Sequence, residues 1–222
     1  MSATGPRLCS RVLACAAVLA VLALAGAAPA AADDRARMAA AVHQAVADVR
    51  AQYRIPGVVV LVVRGGTVEL AEEQGLSRST PLAIGSTSKQ FTGLIVQQLI
   101  AAGRLSLGDT IGTLLDYAAG SPLAGVTVAQ LLGHRSGLAE RAGAEWDLWP
   151  QATTIQDEAR RLVALPRTHA PGTTFEYANA NYTLLGAIVE SVTGSSYPDA
   201  LTRFVTDPLG LDATTGDPQR AR

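Results

Sequence analysis

Lysine is nearly absent from this chain. Of its 18 basic Lys and Arg residues, 17 are arginine and one, Lys89, is lysine. Cysteine is as scarce: Cys9 and Cys15 are the only two, and both fall in the first fifteen residues. If that leader is removed, thiol catalysis, disulfides and cysteine-ligated metals are all excluded. Histidine is sparse too, with His43, His134 and His169 scattered and without paired carboxylates, which is not the pattern of a metal centre. No cofactor is expected. There is no basic run, and the formal charge of −1 becomes −3 without the leader's Arg7 and Arg11, so no nucleic-acid partner is expected.

The leader has three parts. "MSATGPRLCSR" carries positive charge, "VLACAAVLAVLALAG" is an unbroken apolar run, and "AAPAAADD" supplies small residues before a polar start at Asp33. That is the layout of a secretory signal peptide over 1–32, implying a secreted or extracytoplasmic protein with no stable membrane span after cleavage. An uncleaved membrane anchor is the competing reading, since the apolar run is nearly long enough to span. The remaining residues, 33–222, suffice for one domain with a proper core.

"DDRARMAAAVHQAVADVRAQY" has apolar residues at helical spacing and an acidic start, which predicts a helix over 33–53. "VVVLVVRGGTVELAEEQG" predicts a hairpin around Gly65 and Gly66. From Pro81 the pattern is mainly helical, with segments expected over 86–102, 127–134, 154–165, 181–194 and 197–210. The fold class is therefore α/β, a mostly helical part beside an antiparallel sheet. A two-stranded hairpin with so apolar a first strand calls for a further neighbour.

Ser86 and Lys89 open the 86–102 segment. Residues three apart share a helix face, so the amine reaches the hydroxyl. The positive helix end and the apolar Ile84, Phe91 and Leu94 are expected to favour a neutral amine and a developing oxyanion. A serine activated in this way is a nucleophile arrangement, and arginine, which keeps its proton, would not serve at position 89. The competing reading is a capping box between Thr87 and Gln90 that merely starts a helix. A second cluster, Tyr177 and Asn179 in "FEYANANY", points phenol and amide to one side if the backbone is extended. Alone it also fits a polar loop that caps the next helix.

Together these motifs resemble the penicillin-recognising serine hydrolases, the superfamily of serine β-lactamases and D-alanyl-D-alanine carboxypeptidases, in its class C β-lactamase-like branch. "IGSTSKQFTGLIVQQLIAAGRLSLGDTI" is similar to the nucleophile helix and the turn after it. "VTVAQLLGHRSGL" resembles an LLxHxSGL segment, and "APGTTFEYANANYTLLGAIVESVTGSSY" resembles PGxxFxYSNxxYxLLGxIIExVTG, with Ala178 where Ser is usual. "DPLGLDATT" resembles a PLGM-x-x-T segment. The resemblance implies a β-lactamase/transpeptidase-like fold. It implies that Ser86 is the acylated nucleophile, Lys89 the amine assisting proton removal, Tyr177 the general base and Asn179 the partner of Lys89 and of the substrate amide. The implied substrates are D-Ala-D-Ala peptides of peptidoglycan, β-lactams or esters.

The family's third motif, Lys/His-Thr/Ser-Gly on a cleft strand, has no clear counterpart. Arg135-Ser136-Gly137 fits only by letters, and Thr214-Thr215-Gly216 lacks the basic residue. By the same resemblance, later strands would complete the sheet and supply an oxyanion-hole N–H. The chain is thus expected to be truncated at its C-terminus, either poorly active or a binding module keeping Ser86 by descent. His134 is expected to be a structural hydrogen-bonder, Trp146 and Trp149 either cleft walls or loop packing, and Arg160 and Arg161 a solvated face.

Overall fold

The computed structural model describes residues 33–140 and 154–217. The chain divides into two compact units, Met1–Thr80 and Pro81–Arg222.

In the first unit, α1 (33–53) leads into strand β1 (Val58–Arg64) and strand β2 (Thr67–Gln74), which pair antiparallel. The turn falls at Gly65 and Gly66, with φ of 54° and 80°. Two successive positive φ angles give the tight turn whose twist matches a hairpin, and glycine adopts them without steric cost. Val58 faces Gln74 and Arg64 faces Thr67, with a register shift between Val62 and Val63. The two strands pair only with each other among the described residues. α1 meets the hairpin through polar contacts: His43 Nδ1 lies 2.7 Å from Glu72 Oε1, and Gln74 Nε2 donates to the His43 carbonyl at 3.0 Å. Leu61, Val63 and Val68 remain more than half exposed.

The second unit is helical: α2 (Ser88–Ala101), α3 (Ile111–Leu114), α4 (Val128–Leu132), α5 (Ile155–Val163), α6 (Asn179–Thr193), α7 (Tyr197–Leu201) and α8 (Asp207–Leu209). Local chemistry sets these boundaries. Thr127 and Gln130 form a reciprocal capping box at α4, each side chain bonding the other's backbone N–H. Thr154 accepts from the Asp157 N–H to start α5, whose acidic first turn and basic last turn complement the helix dipole. Ser196 caps α7, with Pro198 in its first turn, and a π-helical stretch over Thr202–Thr206 joins α7 to α8. No helix among the described residues is long and apolar enough to cross a membrane.

The core of this unit fixes α2 and α6. Thr92, Ile95, Val96 and Leu99 are buried on α2 at spacings of three and four, one face of the helix. α6 buries Leu184, Leu185, Ala187, Ile188 and Val189, a broader face suited to a central helix. α5 adds Ala159, Leu162 and Val163. At Gly186 of α6 a Cβ would lie 2.4 Å from Ile155 Cδ1, so the Ile155 side chain fills the space that the glycine leaves. Two hydrogen bonds tie α2 to the α7–α8 region: Thr92 Oγ1 with Tyr197 OH at 2.7 Å, and Gln98 Nε2 to the Phe204 carbonyl at 2.8 Å. The expected helical segments are found with ends shifted by up to two residues, except that the one expected over 197–210 is divided by the π-helical stretch into α7 and α8. The described residues are thus mostly helical, with a small two-stranded antiparallel sheet, in keeping with the expected α/β class.

Candidate active site

The N-terminal end of α2 carries the first two candidate residues. Ser86 sits in a 3-10 turn, Gly85–Thr87, that runs directly into α2. Thr87 occupies the cap position with helical angles and makes no side-chain cap bond, so the Thr87–Gln90 capping box does not form. The Ser–Thr–Ser–Lys stretch is therefore not explained by capping. Lys89 projects from the same face one turn on, and its Nζ donates to Ser86 Oγ at 3.2 Å.

The second pair comes from the strand-like approach to α6. Ala178 is extended (φ −145°, ψ 129°) and fully buried, so its neighbours Tyr177 and Asn179 turn to the opposite side together. Asn179 is the first residue of α6 rather than a residue ahead of it, two positions earlier than the sequence pattern indicated. Tyr177 OH lies 2.8 Å from Ser86 Oγ, and Lys89 Nζ donates to Asn179 Oδ1 at 2.6 Å. Tyr177 OH also reaches Asn179 Oδ1, at 3.4 Å. All four candidates, Ser86, Lys89, Tyr177 and Asn179, thus converge on one point from segments about ninety residues apart.

The electrostatics favour the ionised form of Tyr177. Hydrogen bonding to Lys89 holds the Tyr177 hydroxyl below the ordinary tyrosine value, and its bond with Ser86 acts the same way. The Lys89 charge adds to this, while slight burial and the Glu140 charge oppose it. Lys89 Nζ lies 4.9 Å from the Tyr177 ring centroid and 5.7 Å from that of Tyr182, within cation–π range. The apolar shield expected around Lys89 is different in kind. Ile84 and Leu94 are 48% and 40% exposed and Phe91 packs toward the core, so tyrosine rings rather than aliphatic groups flank the amine.

Two further residues support this cluster. His134 is buried, with φ 51°, and its ring stacks on that of Tyr177 with centroids 4.6 Å apart and planes 26° apart. Its Nδ1 accepts from the Ala178 N–H at 3.2 Å, which places the remaining ring proton on Nε2. Burial, with the Lys89 charge acting the same way, lowers its pKa and keeps the ring neutral. His134 is the structural hydrogen-bonder expected from the sequence. Glu140 was not singled out by the sequence: its two carboxylate oxygens accept from the Asn179 N–H at 2.7 Å and from Asn179 Nδ2 at 2.8 Å. The available signal was only an acid two residues beyond the SGL turn.

Other candidates lie elsewhere. Arg135, Ser136 and Gly137 form a turn, not a cleft strand. Ser136 Oγ accepts from the Leu138 N–H, and a Cβ at Gly137 (φ 85°) would meet the His169 carbonyl at 2.2 Å. His169 pairs with Glu176 at 3.2 Å, and His43 with Glu72. Arg160 stacks over the Tyr117 ring at 4.1 Å. It borders a broad groove of about 910 Å³, also lined by Asp116, Gln156 and Glu190, that shares no residue with the Ser86 cluster. Trp146 and Trp149 lie outside the described residues. No group of three or more His, Cys, Asp or Glu among the described residues is placed to hold a metal.

Comparison with known proteins places the chain in a family. The Beta-lactamase family model matches residues 39–222. The chain is 32% identical over 175 residues to Protein flp of Staphylococcus aureus (strain MW2), covering 72% of this chain and 35% of that protein. It therefore spans about a third of the length of that relative. Among solved structures, a class C beta-lactamase superposes with a TM-score of 0.68 at 26% identity, over 81% of this chain and 51% of the other. EstCE1, a hydrolase with promiscuous acyltransferase activity, does so with a TM-score of 0.65 at 26% identity, over 78% and 52%. The order of the helices, the Ser86–Lys89 pair and the Tyr177–Asn179 pair all lie inside the matched region, and the chain belongs to the beta-lactamase family.

Proposed function

We propose that this chain is a serine hydrolase that works through an acyl-enzyme on Ser86. The observation that carries the reading is the position of Ser86 Oγ, 2.8 Å from Tyr177 OH and 3.2 Å from Lys89 Nζ. Tyr177, as tyrosinate, takes the Ser86 proton while Oγ attacks the substrate carbonyl. Lys89 stabilises the negative charge as it passes between the two oxygens. The leaving group takes the proton back from Tyr177; Tyr177 then draws a proton from the water that attacks the ester on Ser86 and returns it to Ser86 Oγ as that bond breaks. Asn179 holds Lys89 through Oδ1. Ser86 and Tyr177 are both exposed.

The substrate class is an acyl group next to a good leaving amine or alkoxide: a D-Ala-D-Ala peptide of peptidoglycan, a β-lactam or an ester. Residues 1–32 serve as an export leader in this reading, and residues 33–222 as the hydrolase domain, which places the enzyme outside the cytoplasm where peptidoglycan lies. Incubation with a penicillin and, separately, with a p-nitrophenyl ester, read by intact mass, tests the proposal. A mass increase equal to the acyl group, lost in Ser86→Ala, is expected with at least one of them. No adduct with either on soluble, folded protein would overturn it.

A further inference from the structure

We infer that Glu140 is a positioning residue for the Ser86 chemistry, fixing which way the Asn179 amide faces. The inference rests on the acyl-enzyme reading above, and it starts from a symmetry problem. An asparagine amide has nearly the same shape with its oxygen and nitrogen exchanged, so shape alone does not orient it. Lys89 is the donor in its bond with Asn179, and it keeps that bond only when Oδ1 faces it. With the amide reversed, two sets of N–H donors would confront each other and Lys89 would lose its shortest hydrogen bond, the one of 2.6 Å.

Glu140 removes the ambiguity. An ionised carboxylate is an acceptor only, so it tolerates Nδ2 and rejects Oδ1. Oε1 accepts from Asn179 Nδ2 at 2.8 Å, and Oε2 accepts from the backbone N–H of the same residue at 2.7 Å. One carboxylate thereby fixes both ends of the Asn179 side chain's torsion.

The need arises from the sequence. Ala178, at the cap position of α6, has no side-chain acceptor, and α6 makes no side-chain cap bond of its own. Its first N–H is supplied instead from the segment after α4, where the positive end of the helix dipole also favours a carboxylate. That segment is itself secured. Leu138 is buried, its N–H donates to Ser136 Oγ at 3.1 Å, and the Gly137 carbonyl accepts from the Thr168 N–H at 2.8 Å.

Glu140 also acts on Tyr177 through charge. The groups around the Tyr177 hydroxyl are Lys89 and Ser86 from the α2 end, Asn179 beside it, the neutral His134 ring beneath it, and Tyr182 and Glu140. Glu140 is the anion in this set, and its charge opposes that of Lys89. Removing it lets Tyr177 ionise at lower pH.

The test uses the full chain with Glu140→Gln, Glu140→Ala and Glu140→Asp, a fluorescent penicillin as acylating probe, and 13Cζ-tyrosine labelling. The Tyr177 resonance is assigned by its loss in Tyr177→Phe. Acylation is expected to slow about tenfold to a hundredfold in the Gln and Ala variants, the scale of a misplaced catalytic group. Their Tyr177 resonance is expected to titrate at lower pH than in the wild type. Glu140→Asp keeps the charge but withdraws the carboxylate by one methylene, so its titration stays near that of the wild type while acylation remains slow. Wild-type acylation and unchanged Tyr177 titration in Gln and Ala variants, with only a lower Tm, would make Glu140 a plain helix cap and overturn the inference. If the wild type takes no acyl group from the penicillin or from a p-nitrophenyl ester, the proposed function falls, and the Tyr177 titration still decides the role of Glu140.

Discussion

The two units of this protein are built by different means. In the helical unit every buried apolar residue, from Ile95 to Val205, joins one continuous core. In the helix–hairpin unit no described residue is fully buried, and Leu61, Val63 and Val68 are each more than half exposed. What holds the second kind of unit is the β1–β2 backbone ladder, half-buried contacts, and pairs such as Arg64 with Glu69 at 3.2 Å, where Arg64 is largely exposed. Such exposed ion pairs contribute about 0–1 kcal/mol each. All four candidate site residues belong to the packed unit. A constellation that needs tolerances of a few tenths of an ångström stands on the helices whose own positions are over-determined. The lesson is that core density and chemical precision coincide here, while the hairpin is where the chain tolerates change.

Three substitutions sharpen that contrast. The largest effect is expected at the site itself. Lys89→Arg places a bulky, permanently charged fork where Ser86 and Asn179 meet a compact amine, and acylation should fall by about a thousandfold or more. Stopped-flow trapping with a fluorescent penicillin measures it, and near-wild-type acylation would show that any cation serves. Next comes the core beneath the site. Leu185→Ala on α6 removes a fully buried side chain and should cost about 2–5 kcal/mol by urea denaturation, with Tyr177 and Asn179 displaced along with the helix. The smallest change is expected in the hairpin: Val68→Thr, at a position 52% exposed, should stay within about 0.5 kcal/mol. If the hairpin change cost as much as the core change, the contrast between the units would be wrong.

Much of this was legible in the sequence, for physical reasons specific to each element. The Gly65-Gly66 turn and the flanking apolar runs specify the hairpin because few residues other than glycine adopt its dihedral angles. The helices announce themselves by period and by caps such as Thr127–Gln130. The spacing of three between Ser86 and Lys89 was enough to place amine and hydroxyl together. The start of α6 was read two residues late because Ala178 offers no cap; the N–H it leaves open is filled by Glu140, 39 positions away. A bond between distant segments leaves no local periodicity. The same holds for the stacking of His134 on Tyr177, and for the tyrosine rings that replace the aliphatic shield expected from Ile84 and Leu94. Short α3 (Ile111–Leu114), a single turn capped by Thr110 and Thr113, was too brief to show a period.

The most direct test of the account is the pH dependence of the acylation rate of Ser86 in the wild type and in Tyr177→Phe. The contacts with Lys89 and Ser86 hold Tyr177 below the ordinary tyrosine value, near 10, so its conjugate base gains population as pH rises toward that value. Acylation by the wild type should therefore increase with pH along a limb whose midpoint lies below 10. In Tyr177→Phe that limb should vanish and the rate should drop by about 10²–10⁴-fold. A limb that survives unchanged in Tyr177→Phe would assign the proton to another group and contradict the account.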